Sequence, residues 1–144
     1  MSKTGFTLIE VLVVTTISVI LLGVVLSFYS YFLIFNTLDA ARQEVLQNIR
    51  LAQTLAQTGS ADNNYGVYFG STTYTVYQGS SYVSRVPNQD QVFSLADDVQ
   101  ATGLTEINFT KKTGLPSVNG TLILTNAKSL KSAQININQL GLIY

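Results

Sequence analysis

From Val11 to Phe35 the chain carries no charged residue and is dominated by Val, Leu and Ile. As an α-helix this run would be about 37 Å long at 1.5 Å per residue, enough to cross a hydrocarbon core of roughly 30 Å. A cleaved secretory signal has a shorter apolar region, about 7–15 residues, and ends in small residues. Here the far end reads SFYSYFLIF, bulky and aromatic. The pattern therefore predicts a membrane span, with Phe28, Tyr29, Tyr31 and Phe32 as an interfacial belt. Lys3 is the only basic side chain ahead of the span, which orients the N-terminus to the cytoplasm and exports the bulk of the chain.

Beyond Phe35 the pattern becomes amphipathic. Leu38, Ala41, Val45, Ile49, Ala52 and Ala56 recur at steps of three and four and share one helical face. Asp39, Arg42, Glu44, Gln47 and Arg50 lie largely off that face. No proline interrupts, and Gly59 is a natural stop. The spacing predicts one continuous helix from about Phe6 to about Gln57.

From Tyr65 the period changes to two. Tyr65–Phe69 and Thr73–Gln78 read as a hairpin, with Tyr74 and Val76 on one side of the second strand and Thr73, Thr75 and Tyr77 on the other. Further strands are expected at Gln91–Leu95, Glu106–Thr110, Thr121–Thr125, Ala133–Asn138 and Leu140–Tyr144. Ile107 with Phe109, Leu122 with Leu124, and Ile135 with Ile137 alternate as core-facing pairs. Gly79, Gly103, Gly114 and Asn119-Gly120 supply turns, the last as a two-residue hairpin signal. No helical stretch separates these strands, so the sheets should be antiparallel. The expected class is α+β: a long N-terminal helix, transmembrane in its first half and amphipathic in its second, packed on antiparallel sheets.

Composition narrows the chemistry. The 144 residues make about one domain and carry no formal net charge, no Cys and no His. Disulfides, thiolate chemistry and the commonest general base and metal ligand are thereby excluded. No catalytic residue, metal site or cofactor is expected, and the chain reads as a non-enzyme. Asp97-Asp98 lacks calcium-loop spacing and reads as solvated loop charge.

Two features of the apolar helix stand out. Thr16, Gly23, Ser27 and Ser30 fall on one stripe, and Gly23-x-x-x-Ser27 is the kind of small-residue pair that lets helices approach closely in lipid. Glu10 heads the uncharged run, with Lys3 about two turns before it and the next cation at Arg42. Physics alone leaves two accounts of Glu10: it snorkels or is protonated at the bilayer edge, or it pairs with a cation on another copy of the chain.

Gly5-Phe6-Thr7-Leu8-Ile9-Glu10, followed by the apolar helix, closely resembles the class III signal of type IV pilins and pseudopilins. The resemblance implies cleavage between Gly5 and Phe6 by a membrane-embedded prepilin peptidase and N-methylation of Phe6. It also implies pairing of Glu10 with the N-terminal amine of a neighbouring subunit during assembly. The chain then divides into a leader at 1–5, a transmembrane and filament-core helix at 6–35, and an exported domain at 36–144. That domain comprises an amphipathic helix at 36–57 and a β-rich part at 65–144. The later segments Tyr65-Gly66-Val67, Tyr74-Thr75-Val76-Tyr77, Gly114-Leu115-Pro116-Ser117 and Ile135–Ile143 look like the GspH/FimT-type minor pseudopilins and minor pilins. Many type IV pilins carry a proline partway down the helix, whereas the only prolines here are Pro87 and Pro116.

The expected role is a minor subunit of a type IV pilus or type II secretion filament in the inner membrane. Its partners would be other pilin subunits, the peptidase and the membrane. The alternative is a DNA-binding or adhesive minor pilin. Lys111, Lys112, Lys128 and Lys131 are four of the seven basic residues after Lys3, and together they would make a phosphate-tracking patch.

Overall fold

The computed structural model describes Gly5 and residues 7–144, with side chains described for all of these except 27–36. Phe6, Lys3 and the side chains of the expected aromatic belt lie outside the described residues. The chain divides into two compact units, one ending at Phe35 and the other running from Asn36 to Tyr144.

Helix α1 spans Leu8–Gln57, without proline and with glycine only at Gly23. It stops where the sequence expects. Gly59 adopts φ 67°, ψ 29°, a left-handed conformation that glycine enters without steric cost. The N–H of Gly59 donates to the carbonyl of Ala56 at 3.0 Å, closing the last turn.

The second unit continues α1 into seven strands: β1 Tyr65–Phe69, β2 Thr73–Gln78, β3 Gln91–Ser94, β4 Val99–Gly103, β5 Glu106–Phe109, β6 Gly120–Asn126 and β7 Ser132–Ile137. They form a four-stranded sheet ordered β3-β2-β1-β5 and a three-stranded sheet ordered β4-β6-β7. Every strand pair is antiparallel. The α+β class expected from the sequence is the one observed.

The helical face anticipated from the three-and-four spacing is the buried one. Leu38, Ala41, Val45, Ile49, Ala52 and Ala56 join a core with Val67, Tyr74, Ile107, Phe109, Leu122, Leu124 and Ile135. Full burial of such side chains is worth roughly 1.5–3 kcal/mol each, and both sheets contribute to the same cluster. Polar helix residues tie the sheets down at the rim. Arg42 Nε donates to the Gln134 carbonyl at 2.9 Å, Arg50 to the Ile143 carbonyl at 3.1 Å, and Gln53 to the carbonyls of Gly114 and Gly141 at 3.1 and 2.9 Å.

β2 is buried on both sides. Tyr74 faces α1, where its hydroxyl donates to Glu44 at 2.9 Å and accepts from Asn48 at 2.7 Å. Tyr77 faces away and is covered by the segment that follows β2. There Tyr82 stacks on Tyr68 at 4.0 Å, meets Tyr77 edge-on at 5.8 Å, and lies under the Arg85 guanidinium at 3.9 Å. Glu106 accepts from the Tyr77 hydroxyl at 2.5 Å and from the Tyr82 N–H at 2.8 Å. Gly66 makes room for this layer: a Cβ there would lie 2.3 Å from the Tyr77 hydroxyl oxygen.

Three strand expectations change. β4 is an added strand: its segment VQATG is short and ends in Gly103, which reads as a turn, and pairing to β6 makes it a strand. Asn119-Gly120 is not a hairpin turn. Gly120 opens β6 opposite Ile137, and the preceding strand β5 belongs to the other sheet. The chain reverses instead around Gly114, at φ 63°, where Thr110 N–H donates to Leu115 and Ser117 N–H donates to Asn108. Leu140–Tyr144 is reduced to one bridge, Ile137 with Ile143.

Candidate assembly site on the apolar helix

The start of α1 is set by a reciprocal pair. Thr7 stands just before the helix, and its N–H and its hydroxyl both donate to Glu10 Oε2, each at 2.9 Å. Glu10 N–H donates back to Thr7 Oγ1 at 3.3 Å. This is a capping box, Thr-x-x-Glu, which satisfies helix N-terminal donors that would otherwise lack partners. The glutamate also sits at the positive end of the helix dipole. Local capping therefore stabilises the carboxylate from within its own chain, without a cation. The signal was in the sequence, as Thr7 three residues before Glu10, and a carboxylate at that position needs no cation to be placed.

The cap occupies only one carboxylate oxygen. Glu10 Oε1 makes no hydrogen bond among the described residues, and Glu10 is exposed. The three ion pairs among the described residues, Arg85 with Asp90, Lys111 with Asp62 and Lys128 with Asp98, all lie in the second unit. Glu10 thus holds an oriented carboxylate with one oxygen open.

Every residue from Thr7 to Leu26 is exposed. Leu8–Leu26 has mean hydropathy 2.7, long and apolar enough to cross a membrane. Its hydroxyls are turned inward on their own helix: Thr15 and Thr16 donate to the Leu12 carbonyl at 3.0 and 2.8 Å, and Ser18 to the Val14 carbonyl at 2.8 Å. Such back-bonding is what hydrocarbon demands of a hydroxyl with no water nearby. On the expected packing stripe, Thr16 is therefore satisfied internally. A Cβ at Gly23 would meet nothing within 4 Å, while the side chains of Ser27 and Ser30 lie outside the described residues. Gly5 is exposed, and Phe6 lies outside the described residues.

The four lysines are not brought together. Lys112 N–H donates to the Ala56 carbonyl near the end of α1, and Lys111 pairs with Asp62 at 3.0 Å. Lys128 and Lys131 lie in the β6–β7 turn, by the end of β7 that leads to Gln134, the residue held by Arg42. Residues 42 and 56 are separated by about 21 Å of helix. Lys128 is already paired with Asp98 at 2.6 Å, which raises its pKa, just as Lys111 lowers that of Asp62. The single patch expected from sequence is thus two separated pairs, each partly neutralised by a carboxylate. Sequence proximity could not reveal this, because the first pair lies in the β5–β6 loop that joins the two sheets and the second in the β6–β7 turn of the three-stranded sheet.

Residues 1–26 match the prokaryotic N-terminal methylation motif. No curated protein and no solved structure matches the chain. The chain carries a type IV pilin-like class III signal, the mark of a prepilin peptidase substrate. Signal and apolar helix together are consistent with a single-pass inner-membrane anchor.

Proposed function

We propose that the chain is a minor pilin or pseudopilin of the GspH/FimT type, a non-enzymatic subunit of a type IV pilus or type II secretion filament. The observation that carries this reading is the methylation motif over residues 1–26, continuous with an apolar helix exposed on all sides. Prepilin peptidase cuts between Gly5 and Phe6 and methylates Phe6. The N-terminus is cytoplasmic before processing, and the β-rich domain is exported. In the filament the apolar helix leaves lipid for a bundle of like helices, and the open oxygen of Glu10 meets the Phe6 ammonium of a neighbouring subunit. Taking a carboxylate into such a bundle is favourable only when it is paired. The Thr7 cap supports this role by holding Glu10 in place before the partner arrives.

The test is co-expression with a prepilin peptidase, followed by intact-mass and N-terminal analysis. The product should begin at N-methyl-Phe6. A Gly5→Val chain should stay unprocessed. An intact leader in filament fractions would overturn the reading.

A further inference from the structure

On the second unit, an open cleft of about 450 Å³ lies between the start of β6 and the turn that follows β7. Asn119, Thr121, Asn136, Asn138, Gln139 and Tyr144 line it, and no Asp, Glu, Lys or Arg is among its lining residues. It is a shallow depression, open to solvent and lined mainly by polar groups, a shape suited to an extended ligand lying along the surface rather than one enclosed in a pocket.

The wall is held by its backbone. Asn136 and Tyr144 exchange N–H···O bonds at 2.8 and 3.1 Å, and Asn138 N–H donates to the Leu142 carbonyl at 3.1 Å. Asn138 Oδ1 accepts from Leu140 N–H at 3.0 Å and Leu142 N–H at 2.9 Å. Gly141, at φ 80°, makes the turn between them. A site fixed in this way loses little conformational freedom on binding.

The polar side-chain groups left over are amides and the Tyr144 hydroxyl. Asn136 Oδ1 is taken by the Thr121 hydroxyl at 2.8 Å, and Asn138 Oδ1 by the turn. The Nδ2 groups of both, and the whole side-chain amides of Asn119 and Gln139, make no hydrogen bond among the described residues. Asn119 and Gln139 offer donors and an acceptor from one planar group without charge, and Asn136 and Asn138 add N–H donors. That matches a ligand whose every polar group is both donor and acceptor, namely a hydroxyl. Beside these amides, Tyr144 is 60% exposed and Leu140 77% exposed, giving an apolar, partly aromatic surface for the C–H faces of a ring.

We propose that this cleft binds a neutral, hydroxyl-rich saccharide chain. A polyanion is disfavoured, because a phosphate or sulfate would be desolvated there with no cation among the lining residues.

The experiment uses the full chain in zwitterionic micelles, since glucoside or maltoside detergents would present their own sugars. Side-chain amide NMR signals are followed on titration with maltotetraose, cellotetraose or chitotetraose, and with a short oligothymidylate as the anionic comparison. At least one neutral tetrasaccharide should give saturable shifts at Asn119, Asn136, Asn138 and Gln139, and the oligothymidylate none. Asn119→Ala and Gln139→Ala break no intrachain bond and so should leave the fold intact. Each should weaken binding about fivefold, the worth of roughly one net hydrogen bond. The proposal is overturned if no tetrasaccharide shifts these signals up to about 10 mM, if both variants bind like the parent, or if the oligothymidylate shifts the same amides.

Discussion

Thr7 and Glu10 cap each other at the first turn of α1: Glu10 Oε2 takes both Thr7 donors at 2.9 Å, and Glu10 N–H returns a bond to Thr7 Oγ1 at 3.3 Å. The pair separates two effects that a single acidic residue would otherwise confound, placing the helix start and presenting a charge. Thr7→Val keeps the shape but removes the hydroxyl. Losing such a cap typically costs about 1 kcal/mol. Amide exchange at Glu10 and Val11, whose N–H groups bond Thr7, should accelerate roughly fivefold in micelles, and Thr7→Ser should restore it. Unchanged exchange in Thr7→Val would mean the cap does not set the helix start.

Gly66 and Gly23 predict opposite outcomes for the same substitution. A Cβ at Gly66 would lie 2.3 Å from the Tyr77 hydroxyl oxygen and 2.6 Å from the Ile107 carbonyl oxygen, whereas one at Gly23 would meet nothing within 4 Å. The Tyr77 hydroxyl is tied to Glu106 and Asn108, and the Ile107 carbonyl is backbone, so neither yields cheaply. Gly66→Ala should destabilise the β-rich unit by about 1–3 kcal/mol, the usual range for overpacking. Gly23→Ala should leave its stability unchanged. Denaturant unfolding followed by tyrosine fluorescence compares the two.

Tyr74 and Tyr77 make stability fall in alkali. Both are almost fully buried, and their pKa values are raised first by burial and then by hydrogen bonds to Glu44 and Glu106 respectively. A raised folded-state pKa means that the native state keeps its proton where the unfolded chain releases it. Their contribution is fully present below the unfolded value of about 10 and is lost as pH rises above it. The unfolding midpoint should therefore begin to drop at about pH 10 and keep falling as the pH rises toward the raised folded-state value. Tyr74→Phe and Tyr77→Phe should each shrink that drop, although each also leaves hydrogen-bond partners unsatisfied at neutral pH. In a spectrophotometric titration, two of the eight tyrosines should ionise only as the fold is lost.

What was legible in the sequence follows from which physical signal is local. The amphipathic face from Leu38 to Ala56 is written in one helix and can be read without knowing its partner. The strands β1, β2 and β5 likewise announce themselves by alternation. β4 does not, because it is short, ends at a turn-type glycine and takes its strand character from a neighbour distant in sequence; the terminal return was expected as a full strand, and only the Ile137–Ile143 bridge forms. Asn119-Gly120 misled because a turn dipeptide records only local permissiveness, while the reversal was settled at Gly114 by pairing between the two arms of the loop. The capping box is local too, written in Thr7 three residues before Glu10. The saccharide cleft was not readable, since its amides come from β6, β7 and the turn beyond.

Glu10 itself gives the decisive variant. Glutamine also serves at the third position of a capping box, so Glu10→Gln should keep the Thr7 pairing while abolishing the charge. Glu10→Leu removes both, together with the desolvation cost of the carboxylate. If Glu10 is needed only to begin the helix, Gln should behave like the parent and Leu should not. If it is needed to pair with a neighbour's Phe6 ammonium, both should fail, because removing one partner of a buried pair typically costs about 3–5 kcal/mol. That loss falls on assembly and not on the β-rich unit, whose core, among the described residues, contains none before Leu38. Both variants should therefore insert, be cut after Gly5 and keep a folded domain, yet be depleted from filament fractions on crosslinking. Normal incorporation of Glu10→Gln beside a failing Glu10→Leu would reduce the residue to a helix cap. Normal incorporation of both would leave neither cap nor charge essential to assembly.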